Sequence, residues 1–119
     1  MLVDPSSFDP EAIARLRRFG GDPLLSEMID LLSVAAPERL ALARQALGAG
    51  NADGARGAFH ALKSSAGQLG AVRVQALCER AEHTAGAGDV AAASAMLAEL
   101  DSAVADMLNW LASHKPGDV

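Results

Sequence analysis

Hydrophobic residues recur every three or four positions along most of the chain, and glycine and proline divide this pattern into segments. Such spacing places the apolar side chains on one face of an α-helix. Residues 9–10 and 22–23 both read Asp-Pro, an N-cap residue followed by a proline suited to the first turn. A helix is therefore predicted to begin at each pair, and the first, short helix ends at the glycine pair 20–21.

The second helical pattern continues to the glycines at 48 and 50 and contains Pro37. Proline removes a backbone donor and disfavours α geometry in the residue before it. A break or kink is therefore predicted near residues 35–36, which gives either one long bent helix or two joined pieces.

Three further helical segments follow. The third extends from an N-cap at Asn51 to Gly70, with the helix itself over about residues 52–69. The next covers about residues 72–85, and a last one begins at an Asp89 cap and ends near residues 115–117. Because the connections are short, successive long helices should be antiparallel neighbours. We predict an all-α fold, an up-down four-helix bundle with a short additional N-terminal helix.

Composition supports this prediction and limits the function. The 119 residues fit a single domain over 1–119, and alanine greatly outnumbers the β-branched residues that strands prefer. The net charge of −5, without a basic run, argues against nucleic-acid binding. No charge-free stretch is long enough for a membrane span of about 20 residues. A lone Cys78 and the absence of a recognisable secretory signal favour a buried thiol in a cytoplasmic protein, with no metal site.

His60 is the candidate functional residue. At about 100° per residue, the apolar stripe of the third segment points away from it, so His60 should face solvent. Glycine inside a helix costs about 1 kcal/mol relative to alanine, so glycines on this face suggest close approach by another molecule. Leucine at Gly67 should then be tolerated by the fold but should block that approach. The residues sharing the face are Arg56, Gly57, Lys63, Ser64, Gly67 and Gln68.

Reversible phosphorylation of the imidazole suits these residues. Neutral histidine is a good nucleophile near pH 7, and its Nε2 is the ring nitrogen farther from the backbone. Lys63, one turn later, could neutralise an incoming phosphoryl group, and Arg56, one turn earlier, could add positive field. The chain has no Gly-rich phosphate loop and no acidic magnesium cluster near His60. A partner would have to supply the phosphoryl group.

Residues 60–71, HALKSSAGQLGA, resemble the signature of histidine-containing phosphotransfer domains. In that signature a lysine follows the histidine by three positions, small residues come next, and a Gly-Ala pair follows ten positions after the histidine. Residues 74–82 are similar to the next helix of the family. The resemblance implies a four-helix bundle with a short N-terminal helix covering one end.

The resemblance also implies a function. Such a protein is not an enzyme and has no cofactor of its own; it carries phosphoryl groups between aspartates of receiver domains in multistep phosphorelays. The expected partners are response-regulator receiver domains or a hybrid histidine kinase, with magnesium on the receiver. We expect the carrier to be a monomer.

Two positions depart from the pattern of many members. Ser64 stands where glycine is frequent, and Glu82 stands where some members have a glutamine that hydrogen-bonds the histidine. Glu82 could hold the imidazole or oppose the phosphoryl charge, and Gln75 is a second residue that could support the site. In the family the first two helices contribute apolar contacts to the receiver. We therefore predict that one or two of a set of apolar residues remain partly exposed beside the histidine: Ile13, Leu16 and Leu24.

Two alternatives remain open at this stage. The chain could be a degenerate phosphotransfer fold that only docks a partner. It could also be the phospho-accepting fragment of a larger histidine kinase, although a polar end without a linker argues against that if the sequence is full length.

Overall fold

The computed structural model describes residues 5–117 and is all-α, with no strand in that range. A 3₁₀ turn at Pro5–Ser7 precedes five helices. These are α1 (Pro10–Gly48), α2 (Ala52–Gln68), α3 (Val72–Gly86), α4 (Val90–Ala95) and α5 (Leu97–His114). The helix α2 packs against both α1 and α3, and α1 also contacts α5. The predicted fold class is confirmed.

The long helix α1 is interrupted at Gly21, whose φ of 71° and ψ of −172° are not helical. This glycine separates a short helix over residues 10–20 from a long one over residues 22–48, as the glycine pair predicts. The short helix begins at Asp9, whose carboxylate accepts a hydrogen bond from the Glu11 amide at 3.0 Å. A separate short N-terminal helix is therefore present.

Pro37 lies inside a continuous helix, so a break there was the wrong alternative and one long helix is the right one. Proline leaves the carbonyl of Ser33 without its usual amide donor four residues later. Both residues are exposed, so water can hydrate that carbonyl and the helix can continue.

The motif helix α2 begins and ends at residues the sequence marks. The Asn51 side chain accepts a hydrogen bond from the Gly54 amide at 2.9 Å. After the helix, Gly70 has a φ of 78°, and its carbonyl accepts a hydrogen bond from the Asp9 amide at 2.8 Å. A Cβ at Gly70 would collide with the Asp9 carbonyl oxygen. Glycine at this position therefore lets the short N-terminal helix dock on the end of α2.

The last predicted helix is two helices in the structure, so this detail of the prediction was wrong. The junction is Met96, whose amide bonds to the Ala93 carbonyl at 3.1 Å, one residue closer than in an α-helix. No glycine or proline marks the junction in the sequence, and Met96 itself keeps right-handed helical angles. The predicted end of this segment near residue 115 is confirmed.

Burial of the apolar stripes sets the rotation of each helix. Phe59 is 1% exposed, and burying a side chain of this size contributes about 1.5–3 kcal/mol. The buried face of α2 is formed by Ala55, Ala58, Phe59, Leu62 and Ala66. At about 100° per residue His60 lies on the opposite side of the helix from the middle of that face. The largest fully buried side chains are Phe59, Ile13, Leu25, Ile29, Leu62, Leu69, Leu100, Met107, Leu111, Val74 and Cys78.

Candidate functional site at His60

The imidazole of His60 lies on the solvent side of α2, where its position in the sequence predicts it, and its side chain is 60% exposed. Its Nδ1 is 2.8 Å from Oε1 of Glu82, which lies on α3. A carboxylate only accepts hydrogen bonds, so Nδ1 must be the ring nitrogen that carries the proton. The lone pair of the neutral ring is then on Nε2.

Glu82 contacts two site residues with one carboxylate. While Oε1 accepts from His60, Oε2 is 2.7 Å from the ammonium nitrogen of Lys63. The Glu82 side chain is 18% exposed, and the cation of Lys63 compensates the charge that is withdrawn from water. Of the two roles considered for Glu82, holding the imidazole is the one that this geometry provides.

The ion pair keeps both of its members charged at neutral pH. The Lys63 ammonium, 2.7 Å from Oε2, lowers the pKa of Glu82, and the hydrogen bond from His60 acts in the same direction against the effect of burial. The same ion-pair contact raises the pKa of Lys63. Lys63 is therefore a positioned cation, partly buried beside His60, and not a freely moving surface charge.

Cys78 lies one turn before Glu82 on α3 and is fully buried, as predicted. Burial, followed by the nearby Glu82 charge, raises the pKa of its thiol to about 12. The thiol is therefore neutral at physiological pH and is a core side chain without nucleophilic character.

The flank of α2 that faces α3 also carries Arg56. Its guanidinium pairs with Asp53 on the same helix, with 2.9 Å between Nη2 and Oδ1. Arg56 and Lys63 line an open depression of about 500 Å³ between α2 and α3, together with Glu79, Glu82, His83, Gly86 and Ala87. The structure thus places Arg56 beside the site but gives its charge a carboxylate partner.

Gly67, on the same flank, does not face open solvent, so that prediction was wrong. A Cβ at this position would lie 2.8 Å from Nε2 of Gln75, a side chain of α3. Gln75 therefore covers Gly67, while the hydrogen bond of the imidazole goes to Glu82. Leucine at position 67 would have to displace the glutamine amide, so the fold does not accommodate it freely.

The opposite flank of α2 faces α1 and is open. A Cβ at Gly57 would meet no atom within 4 Å. Gly57 lines a depression of about 430 Å³ together with Arg39 and Leu42 of α1. The hydroxyl of Ser64 donates a hydrogen bond at 3.2 Å to the carbonyl of His60 on its own helix. The space above Gly57, one turn before His60, is therefore open.

The predicted apolar contacts of the first helices divide by burial. Ile13 is 2% exposed, so its assignment to a partner surface was wrong: a short helix must bury part of one face, and Ile13 serves that purpose. Leu16 and Leu24 are half-buried. Phe19, 88% exposed, was missed as a surface residue. Periodicity places Phe19 on the same line of the helix as buried Ala12, seven residues earlier, and this conceals its exposure.

Gln68 of α2 lies at the surface between α2 and the short N-terminal helix. It lines a depression of about 510 Å³ together with Leu16, Phe19 and three other residues of the short helix: Ala12, Arg15 and Arg18. We call the surface of Leu16, Phe19 and Gln68 the N-terminal apolar surface. Its apolar members are the exposed Phe19 and the half-buried Leu16.

The described part of the chain contains no group of three His, Cys, Asp or Glu side chains placed to hold a metal ion. None of the helices in residues 5–117 is both long and apolar enough to cross a membrane.

Comparison with known proteins places this geometry in a family. The crystal structure of histidine-containing phosphotransfer protein B from Pseudomonas aeruginosa PAO1 has a TM-score of 0.87 to this chain, at 23% sequence identity. The match covers 94% of this chain and 96% of that one, and at this identity it shows a shared fold. No curated protein sequence matched the chain. The sequence model of the Hpt domain matches residues 27–110, a range that contains His60, Lys63 and Glu82, and the chain therefore belongs to the Hpt domain family.

Proposed function

We propose that this protein accepts a phosphoryl group on Nε2 of His60 from the aspartyl phosphate of a receiver domain and passes it to another receiver in a multistep phosphorelay. It acts as a phosphocarrier without ATP-binding or kinase activity of its own. The observation that carries the proposal is the exposed imidazole whose Nδ1 is held by Glu82 at 2.8 Å.

The hydrogen bond to Glu82 prepares His60 for nucleophilic attack. With the proton on Nδ1, the lone pair of the neutral ring lies on Nε2, in the plane of the ring and away from Glu82. The contact also restricts rotation of the imidazole, so less orientational freedom has to be lost when a donor arrives. Glu82 is in this sense a positioning residue, because it acts on the phosphoryl group through His60.

Lys63 supplies the positive charge for the transferring group. Its ammonium lies one turn from His60 and is held at 2.7 Å from Glu82. An ammonium has three donors, so Lys63 can keep its contact to Glu82 while it donates to phosphoryl oxygens. A docked receiver would exclude water from this region and strengthen that interaction. Magnesium would belong to the receiver domain.

Docking of the receiver is supported by the open flank of α2 and by the N-terminal apolar surface. Gly57 leaves room one turn before His60, and Phe19 exposes 88% of its surface at the end of the short helix. An accessible nucleophile with open space beside it suits a partner that must bring an aspartyl phosphate to Nε2 and then leave.

The test is incubation with phosphorylated receiver domains, followed by mapping of the modified residue. We expect an acid-labile, alkali-stable phosphate on Nε2 of His60. The variant His60→Gln should lose the label and keep its helicity, measured by circular dichroism. Labelling that persists in this variant contradicts the assignment. Receiver binding without any transfer would favour a docking module instead.

A further inference from the structure

Most cationic side chains of this protein are neutralised by a carboxylate of the same chain. Of the ten lysines and arginines, seven form an ion pair with an Asp or Glu side chain. The other three, Arg15, Arg39 and Arg80, are exposed and have no such pair within residues 5–117. Water hydrates an exposed guanidinium at little cost, so the location of these three residues is what distinguishes them.

Two of the three unpaired arginines lie at the ends of the open flank of α2. Arg15 lines the depression of about 510 Å³ that includes Gln68, and Arg39 lines the depression of about 430 Å³ that includes Gly57. Arg80 lines neither of them and borders a depression on α3. Unneutralised positive charge is therefore present at both ends of the flank that has room for a partner.

The two depressions lie on the same side of His60, within reach of one docked domain. At about 100° per residue, Gly57 and Gln68 are about 60° and about 80° from His60 around α2, and Lys63 is about 60° away on the other side. At about 1.5 Å per residue, Gly57 and Gln68 are about 16 Å apart along the helix, with His60 between them. An interface of standard size, about 800 Å² per partner, is about 30 Å across, so one partner covers both depressions and the imidazole.

We propose that Arg15 and Arg39 form ion pairs with carboxylates on the docking surface of the receiver, outside its phosphorylation pocket, and so select receivers that are acidic there. The proposal rests on the proposed function, since it names the receiver chemistry that the same site accepts. Both arginines are specificity-determining residues that contact the receiver and not the phosphoryl group.

The net charge of the chain gives these two cations their importance. This chain carries −5, and an aspartyl phosphate is itself an anion, so the approaching receiver meets a repulsive long-range field. Arg15 and Arg39 provide local attraction where the receiver docks, and a guanidinium can bind a carboxylate through two parallel hydrogen bonds. Charges at the rim of an interface act mainly on the association rate, and juxtaposed like charges disfavour wrong partners. A receiver with basic residues at these two points is therefore excluded.

The test measures phosphoryl transfer to wild type and to three charge-reversal variants: Arg15→Glu, Arg39→Glu and Arg80→Glu. Arg80 is the matched control, because it is exposed, has no ion pair in the described range and, like Arg39, directly follows a glutamate. The probe is a receiver domain that exchanges phosphate with wild type, phosphorylated with acetyl phosphate, with carboxylates around its phosphorylation pocket. If the receivers that exchange phosphate with wild type have no such carboxylates, the proposal is overturned.

At low ionic strength, Arg15→Glu and Arg39→Glu should each lower the second-order rate constant of transfer by about tenfold, and Arg80→Glu by less than about twofold. The rate at saturating receiver should stay that of wild type, because the chemistry at His60 is unchanged. At about 0.5 M salt the defects should shrink, since the Debye length is then about 4 Å. Arg15→Lys and Arg39→Lys keep the charge and should retain most of the rate.

Two results overturn the proposal directly. Equal defects in all three glutamate variants would show that only the total charge of the chain matters. A defect that is absent at Arg15 or at Arg39 would show that one receiver does not contact both depressions. Thermal unfolding followed by circular dichroism checks that each variant is folded, and the salt dependence separates a lost charge contact from a structural defect.

A charge-swapped receiver gives the reciprocal test. When the carboxylates around the pocket of the receiver are changed to lysine, Arg15→Glu and Arg39→Glu should accept phosphate faster than wild type does. The proposal fails if wild type remains faster. If wild type exchanges phosphate with no receiver, the proposed function fails, and titration calorimetry with unphosphorylated receivers still tests the inference. In that case weaker binding by Arg15→Glu and Arg39→Glu than by Arg80→Glu supports the ion pairs, and equal binding overturns them.

Discussion

The two flanks of α2 beside His60 differ in what surrounds them. Toward α3, Lys63 is bound to Glu82 at 2.7 Å, and Gln75 covers Gly67. Toward α1, a Cβ on Gly57 would meet no atom within 4 Å. The flank toward α3 therefore fixes the tautomer of the imidazole and holds a cation beside it, and the flank toward α1 leaves open space. Residues that share one helix face in the sequence thus have separate tasks once a neighbouring helix packs on one side of them.

The largest expected effect tests the flank toward α3. Lys63→Ala should slow phosphoryl transfer in both directions by about a hundredfold, since removal of one charge-stabilising donor typically has an effect of this size. Receiver affinity, measured by titration calorimetry, should change far less. The control is Arg44→Ala, which removes a cation paired with Asp101 at 2.7 Å away from the site. Equal transfer rates for Lys63→Ala and wild type would show that the lysine is only a structural partner of Glu82.

The next effect tests the open flank. Gly57→Leu should reduce transfer from a phosphorylated receiver by about tenfold, because the new side chain would occupy the space through which the receiver approaches Nε2. The melting temperature should not fall, since a leucine there has free space and a better helix propensity. Unchanged transfer would place the approach of the receiver on another side of His60.

A smaller effect, on stability, is expected at Gly67, the glycine that Gln75 covers. Gly67→Leu should lower the free energy of unfolding by about 1–2 kcal/mol, because the side chain displaces the Gln75 amide and overfills the contact between α2 and α3. Chemical denaturation measures this change. Adding Gln75→Ala should restore part of the loss through a favourable coupling between the two sites. A stability equal to that of wild type would mean that Gln75 moves aside without cost.

The smallest effect compares the two glycines directly. Gly57→Ala should raise the free energy of unfolding by about 0.5–1 kcal/mol, the usual gain from helix propensity. Gly67→Ala should gain less, since its Cβ would approach Gln75 Nε2 to 2.8 Å and the amide must shift. The same denaturation experiment in a Gln75→Ala background should remove the difference. Equal gains in the wild-type background would contradict the asymmetry of the two flanks.

Local signals in the sequence were sufficient to predict where most of the helices begin and end. Caps such as Asn51 and the positive-φ glycine Gly70 lie where the sequence predicts the ends of α2. Two details of the helices were not predictable in this way. Pro37 is accommodated because its environment is solvent, and the junction at Met96 has no glycine or proline to mark it. In both cases the surroundings of the residue determine whether the helix continues, and helix propensity carries no information about those surroundings.

The sequence by itself determined the all-α fold, the outward direction of His60 and the position of Lys63 one turn later, because each follows from the 3.6-residue repeat of a single helix. Only the tertiary structure decided which oxygen of Glu82 binds which partner, that Gln75 covers Gly67, and that Ile13 is buried while Phe19 is exposed. Each of these depends on a contact, or on the lack of one, between segments distant in sequence. Periodicity within one helix defines its faces, but only packing defines what lies against each face.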